Sequence, residues 1–135
     1  MTTQKNNKAI HISLWIAQGL LGAMFIMAGS MKAMQPIEAL AEMLPWATEV
    51  PSALVRFIGI SELLGGTGLL LPSIFRIKPS LTVWAAIGLA IVQVLAAGFH
   101  GSRGETEVIG MNVVLIAIAA FIAWGRSKKA PIQPK

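Results

Sequence analysis

Four long apolar stretches alternate with short polar segments along this chain: Ile12–Met31, Ser52–Leu71, Ser80–Phe99 and Val108–Gly125. The hydrocarbon core of a bilayer is about 30 Å thick and takes about 20 helical residues to cross, so each stretch is long enough to span it. None alternates with period two, which argues against a membrane β-barrel. The pattern predicts an all-α protein, a transmembrane four-helix bundle over residues 11–125, with an N-terminal segment 1–10 and a disordered basic tail 126–135. Prolines punctuate the stretches: Pro51 opens the second, Pro72 ends it and Pro79 opens the third, where a missing N–H costs nothing. A signal h-region runs to about 15 residues at most, so the longer first stretch reads as a retained helix.

Between the first two stretches the rhythm changes. Ile37, Leu40, Ala41 and Leu44 follow i, i+3, i+4, i+7, with Glu38 and Glu42 on the other face and Trp46 beyond. This predicts a short amphipathic helix lying in the membrane interface.

Composition agrees with a lipid environment. The 135 residues are 55% hydrophobic and 13% charged, roughly half the 25% or so of a soluble domain. There is no Cys, which removes thiolate ligation, disulfides and thiol redox chemistry from this chain. The net charge of +5 does not indicate nucleic acid, because the basic residues flank the apolar stretches as membrane anchors do.

Their distribution sets an orientation. With four spans, Lys5, Lys8, Arg76, Lys78, Arg126, Lys128, Lys129 and Lys135 share one side, while Lys32, Arg56 and Arg103 share the other. The positive-inside rule makes the richer side cytoplasmic, so both termini are expected in the cytoplasm of a cell-membrane protein. Trp15, Trp84 and Trp124 then fall near the inner interface and Trp46 near the outer one, as in an aromatic belt. Small-xxx-small pairs occur in every span: Gly19/Ala23, Ser61/Gly65, Ala86/Ala90 and Ala119/Ala123. Such pairs let membrane helices approach, within one chain or between copies in a homo-oligomer.

Polar residues within the spans are the candidate chemistry. A charge at the centre of a membrane helix costs about 2.5–3.5 kcal/mol on insertion scales, and Glu62 lies near the middle of the second span. Arg56 lies about one turn inside the outer surface, His100 at that surface, Gln93 about 10 Å deeper, Asn112 about one turn in and Lys32 at the end of the first span. Lys32, Arg56, Glu62, Gln93, His100 and Asn112 therefore fall in the outer half and predict a polar pocket there, while the inner half reads as almost free of buried polar groups. Arg56 and Glu62 are six residues apart and do not share a helix face, so each should find partners on other helices. Lys32 taken alone reads as a snorkelling residue. No metal is assigned: His100 with Glu105 and Glu107 lacks an established ligand spacing. His11 and His100, at opposite ends about 30 Å apart, cannot jointly hold a haem. Gly65-Gly66-Thr67-Gly68 lies inside a membrane helix and reads as packing rather than phosphate binding.

The chain resembles the DoxX-like family of small four-helix membrane proteins. Phe25-Ile26-Met27-Ala28-Gly29-Ser30-Met31-Lys32 is similar to the family's F-x-x-x-G-x-x-K. Gly59 to Pro72 is similar to its G-x-x-E-x-x-G-x-x-G-L-x-x-P, with Glu62 at the acid. His100 ends the third helix and Asn112 opens the fourth, and the likeness covers about residues 10–125. The resemblance implies links to thiosulfate:quinone oxidoreductases and to membrane complexes that handle oxidative stress. A polar outer pocket with a buried acid would suit a quinone head group as cofactor. With no Cys, haem pair or flavin motif, the reading is an accessory subunit with a redox partner rather than an autonomous oxidoreductase; catalytic residues are not assigned. The alternative is a small proton-coupled transporter.

Overall fold

The computed structural model describes the backbone of residues 2–134 and the side chains of residues 8–134. Met1 lies outside the described residues, as do Lys135 and the side chain of Lys5, both of which enter the charge count above. In chain order the elements are α1 (Thr2–Met34), α2 (Ile37–Met43), a 3₁₀ turn (Pro45–Thr48), α3 (Ser52–Phe75), α4 (Ser80–Ser102), α5 (Thr106–Trp124) and a π-helical turn (Gly125–Lys129). Four segments among the described residues are long and apolar enough to cross a membrane: Lys8–Met34, Ser52–Phe75, Ser80–Ser102 and Thr106–Lys129. They form the expected four-helix bundle. α1 packs chiefly on α3 and α4 on α5, and the ring closes through α3–α4 and α1–α5. One end of the bundle, the terminal end, carries both termini and the α3–α4 turn. The other, the loop end, carries the α1–α3 connection and the α4–α5 loop.

A seven-residue rhythm governs what is buried. In α3 the inward positions are Val55, Gly59, Glu62, Gly66, Leu69 and Ser73, alternating steps of four and three. α5 repeats it with Asn112, Leu115, Ala119 and Ile122, and α4 with Thr82, Ala86, Leu89 and Gln93. This spacing keeps one seam facing the neighbours and is the signature of left-handed bundle packing. The middle of the seam is apolar: Leu21, Phe25, Leu69, Ala86, Leu89, Leu115, Ala119 and Ile122 form one buried cluster. Large apolar side chains such as Phe57, Leu64, Ile91 and Val113 point outward, where a bilayer supplies their solvent.

α1 and α3 meet backbone to backbone. A Cβ on Gly29 would stand 2.4 Å from the Leu63 nitrogen and 2.6 Å from the Gly59 carbonyl oxygen, and one on Gly66 would stand 2.8 Å from the Gly22 oxygen. Gly22 and Gly29, seven residues apart, face Gly59 and Gly66 at the same spacing. The expected Gly19/Ala23 pair is not part of this contact: a Cβ on Gly19 meets nothing within 4 Å, and Ala23 is exposed. Gly19 and Ala23 lie on a neighbouring face of α1. Gly65 does serve packing, closing on Leu89 of α4.

The amphipathic α2 lies across the loop end. Leu40, Ala47 and Val55 are fully buried together, supported by Ile37, Leu44 and Trp46, while Glu38 and Glu42 are exposed.

Two boundaries differ from the sequence reading. α1 runs continuously from Thr2, so residues 2–10 contain no break before the first span. At the other end, helical structure continues through Lys129 and Arg126 is only 3% exposed. The boundary placed at 126 therefore cuts into the folded bundle.

Candidate functional site

The loop-end polar residues fall into three hydrogen-bonded groups. In the first, Lys32 Nζ donates to Glu62 Oε1 at 2.7 Å, with the side chains 14% and 4% exposed. Lys32 comes from the last turn of α1 and Glu62 from the inward seam of α3, joined where the glycine contact brings the two helices together. Lys32 thus does not snorkel. Each charge is costly alone in a bilayer, and the pair neutralises both. Arg56, six residues closer to the loop end than Glu62 on α3, donates from Nη1 to the Lys32 oxygen at 3.0 Å and to the Gln35 oxygen. It caps the C-terminal carbonyls of α1, which have no partner within their own helix. Arg56 and Glu62 do not bond each other, and both find partners on α1.

The second group joins α4 to α5. Asn112 Nδ2 donates to Gln93 Oε1 at 2.7 Å, and Asn112 Oδ1 is buried without a partner among the described residues. Both side chains occupy seam positions and are nearly inaccessible.

His100 belongs to the third group. It is buried beneath the α1–α3 connection, its ring edge-on to Trp46 at 6.1 Å and to Phe99 at 5.2 Å. Its Nδ1 lies 3.2 Å from Glu105 Oε1. Glu105 also accepts from Arg103 Nε at 2.7 Å, and Arg103 reaches back to Glu49. The hydrogen bond from Arg103, then that from His100, holds the Glu105 carboxyl below the usual range; the same bond to Glu105, then that to Glu49, raises Arg103. Glu105 is committed to this strap between α4, α5 and the α1–α3 connection.

The six residues singled out in the sequence therefore share the loop end but engage one another only as Lys32–Glu62, Arg56–Lys32 and Gln93–Asn112. Two surface grooves, one between α4 and α5 along Ile87, Ile91 and Ala120 and one between α1 and α5 along Ile16 and Ala117, are apolar and touch none of the six.

The terminal end is not apolar, contrary to the sequence reading. Gln18, Ser73, Thr82 and Arg126 are all buried there. Pro72 explains much of the arrangement. Lacking an N–H, it leaves the Gly68 carbonyl without its helical donor, and Thr82 Oγ1 supplies one at 3.1 Å. With its proton so used, Thr82 accepts from Ser73 Oγ at 2.7 Å. Gln18 Nε2 then donates to Ser73 Oγ and to the Leu69 oxygen, and Gln18 Oε1 accepts from Arg126 Nε at 2.6 Å. The signal for these residues was the seven-residue rhythm itself. Gln18 precedes Phe25 by seven, Thr82 precedes Leu89 by seven, and Ser73 and Arg126 follow Gly66 and Ala119 by seven.

A family model described as the DoxX-like family matches residues 16–122. No curated protein and no solved structure matches the chain.

Proposed function

The chain belongs to the DoxX-like family, and from that premise we propose that it is a non-catalytic membrane subunit of a quinone-linked redox or oxidative-stress complex. In this reading the loop end faces outward from the cell membrane and its polar seam receives a quinone head group. The observation that carries it is the second group at the α4–α5 seam. Asn112 Oδ1 is a buried acceptor with no donor among the described residues, and a quinol hydroxyl is a donor delivered from within the bilayer. Glu62 and Lys32 supply an acceptor and a donor on inward faces at the same end. The residues available support binding and orientation of such a ring and no more. Electrons would have to come from a partner subunit, because the chain holds no thiol and no Tyr.

Purification in mild detergent, followed by mass spectrometry of bound proteins and lipids, tests this. A redox protein should co-purify, and quinone should be present in the wild type and depleted at least several-fold in Asn112→Leu and Glu62→Gln. Absence of both partner and quinone from the wild type would remove the proposal.

A further inference from the structure

Arg126 is a cation with no acidic partner among the described residues. Its side chain is 3% exposed, and its partners are all neutral: Gln18 Oε1 on Nε, and His11 Nδ1 and the Ala130 oxygen on Nη1, both at 2.8 Å. Nη2 is buried with no partner among the described residues. The Trp15 ring lies under the guanidinium, 5.1 Å from its carbon. All six acidic side chains, Glu38, Glu42, Glu49, Glu62, Glu105 and Glu107, sit in the loop-end half of the chain's path or in its connections, so none of them reaches Arg126. A buried guanidinium is ordinarily paired.

The surroundings are also over-supplied with donors. His11 faces Arg126 through Nδ1 and the Trp15 indole N–H through Nε2, at 2.8 and 3.1 Å. A neutral imidazole accepts at one nitrogen only. At least one of these two donors is thus short of an acceptor, in addition to Nη2. The C-terminal segment partly fills the lack with the Ala130 oxygen on Arg126 Nη1, and is held separately by the Gln133 oxygen on Arg76 Nε at 2.7 Å.

We propose that Arg126, with His11 and Trp15, is the floor of a binding site for a phosphate-class oxyanion at the terminal end, for which the segment Ala130–Pro134 competes through the Ala130 carbonyl. An oxyanion presents several acceptors to a planar fork of N–H donors, the geometry at which arginine excels. The carbonyl of Ala130 stands where an anion oxygen would compete, so binding and release of the segment are coupled. The phosphate can belong to a phospholipid, since Trp84 and Trp124 at this end are exposed as interface anchors are, or to a free anion.

The full-length protein is purified in mild detergent, and its thermal unfolding midpoint is read with phosphatidylcholine alone, with added phosphatidylglycerol, and with inorganic phosphate. The midpoint should rise with phosphatidylglycerol over phosphatidylcholine, and hydrogen exchange at residues 130–134 should quicken as it rises. A rise with phosphate alone supports the same site with a free anion as its source. The rise should be lost in Arg126→Gln and kept in the Lys128→Gln/Lys129→Gln double variant, whose side chains are exposed. If Arg126→Gln does not fold, exchange at 130–134 in the wild type decides. No rise with either anion, a rise unchanged in Arg126→Gln, or a tail whose exchange ignores the anion overturns the proposal.

Discussion

Lys32 and Glu62 occupy the same 2.7 Å contact but are not equally free to leave it. Lys32 ends a helix near the loop end and keeps 14% of its side chain exposed, so its long stem can turn toward the interface if the acid is removed. Glu62 sits on the inward seam of α3 with no such exit. Lys32→Met should therefore be the more damaging change, at about 3–5 kcal/mol for an abandoned buried charge. Glu62→Gln should lose about 1.5–3 kcal/mol, the scale of one hydrogen bond to a charged group. The double variant should be more stable than Lys32→Met alone. Equilibrium unfolding of the reconstituted variants measures all three, and a Glu62→Gln cost exceeding that of Lys32→Met would contradict the asymmetry. Glu62 was legible in the sequence because a charge in an apolar run announces itself. Its partner was not. Which of Lys32, Arg56 or His100 would meet it depends on the register between α1 and α3, and a glycine contact sets that register.

At the scale of the helix, that contact is the seam's narrowest point. Ala at position 29 would press its methyl group into the Leu63 nitrogen and the Gly59 oxygen, which are backbone atoms and cannot rotate away. α1 and α3 must then part, and overpacking of this kind costs about 1–3 kcal/mol. The shift would also pull Lys32 off Glu62, so Gly29→Ala should lower stability and weaken that pair together. Gly19→Ala should be neutral or slightly stabilising, since nothing lies near it and glycine is a poor helix former. Unfolding of the two variants side by side measures the contrast; similar losses for both would show that the contact is not the one setting helix distance. Spans and their order were legible from hydropathy alone. The inward faces were less so, because the usual amphipathic signal is inverted here. Apolar residues cover the outside, and the seam carries Gln18, Glu62, Ser73, Thr82, Gln93, Asn112 and Arg126. A seven-residue repeat of polar and small residues is the pattern that would have found that seam.

Over the whole molecule the two ends are electrostatic opposites. The terminal end carries eight basic residues and no acid, and the loop end three basic residues and six acids, counting Glu62 with it. At the loop end every basic residue is engaged: Lys32 with Glu62, Arg56 on the carbonyls of Lys32 and Gln35, and Arg103 with Glu49 and Glu105. At the terminal end Lys8, Lys128 and Lys129 are exposed. Positive-inside bias acts through basic residues near span ends, and the fold leaves the free ones all on one side. We therefore expect the terminal end in the cytoplasm and the loop end outside. Because the chain contains no Cys, single cysteines report on this directly. Glu107→Cys, at an exposed loop-end position, should react with a membrane-impermeant maleimide in intact cells, and Ser127→Cys, exposed at the terminal end, only after permeabilisation. The reverse pattern would invert the orientation and move the quinone proposal to the inner leaflet. Equal labelling of both sites in intact cells would mean that the chain inserts both ways, and that the charge asymmetry does not orient it.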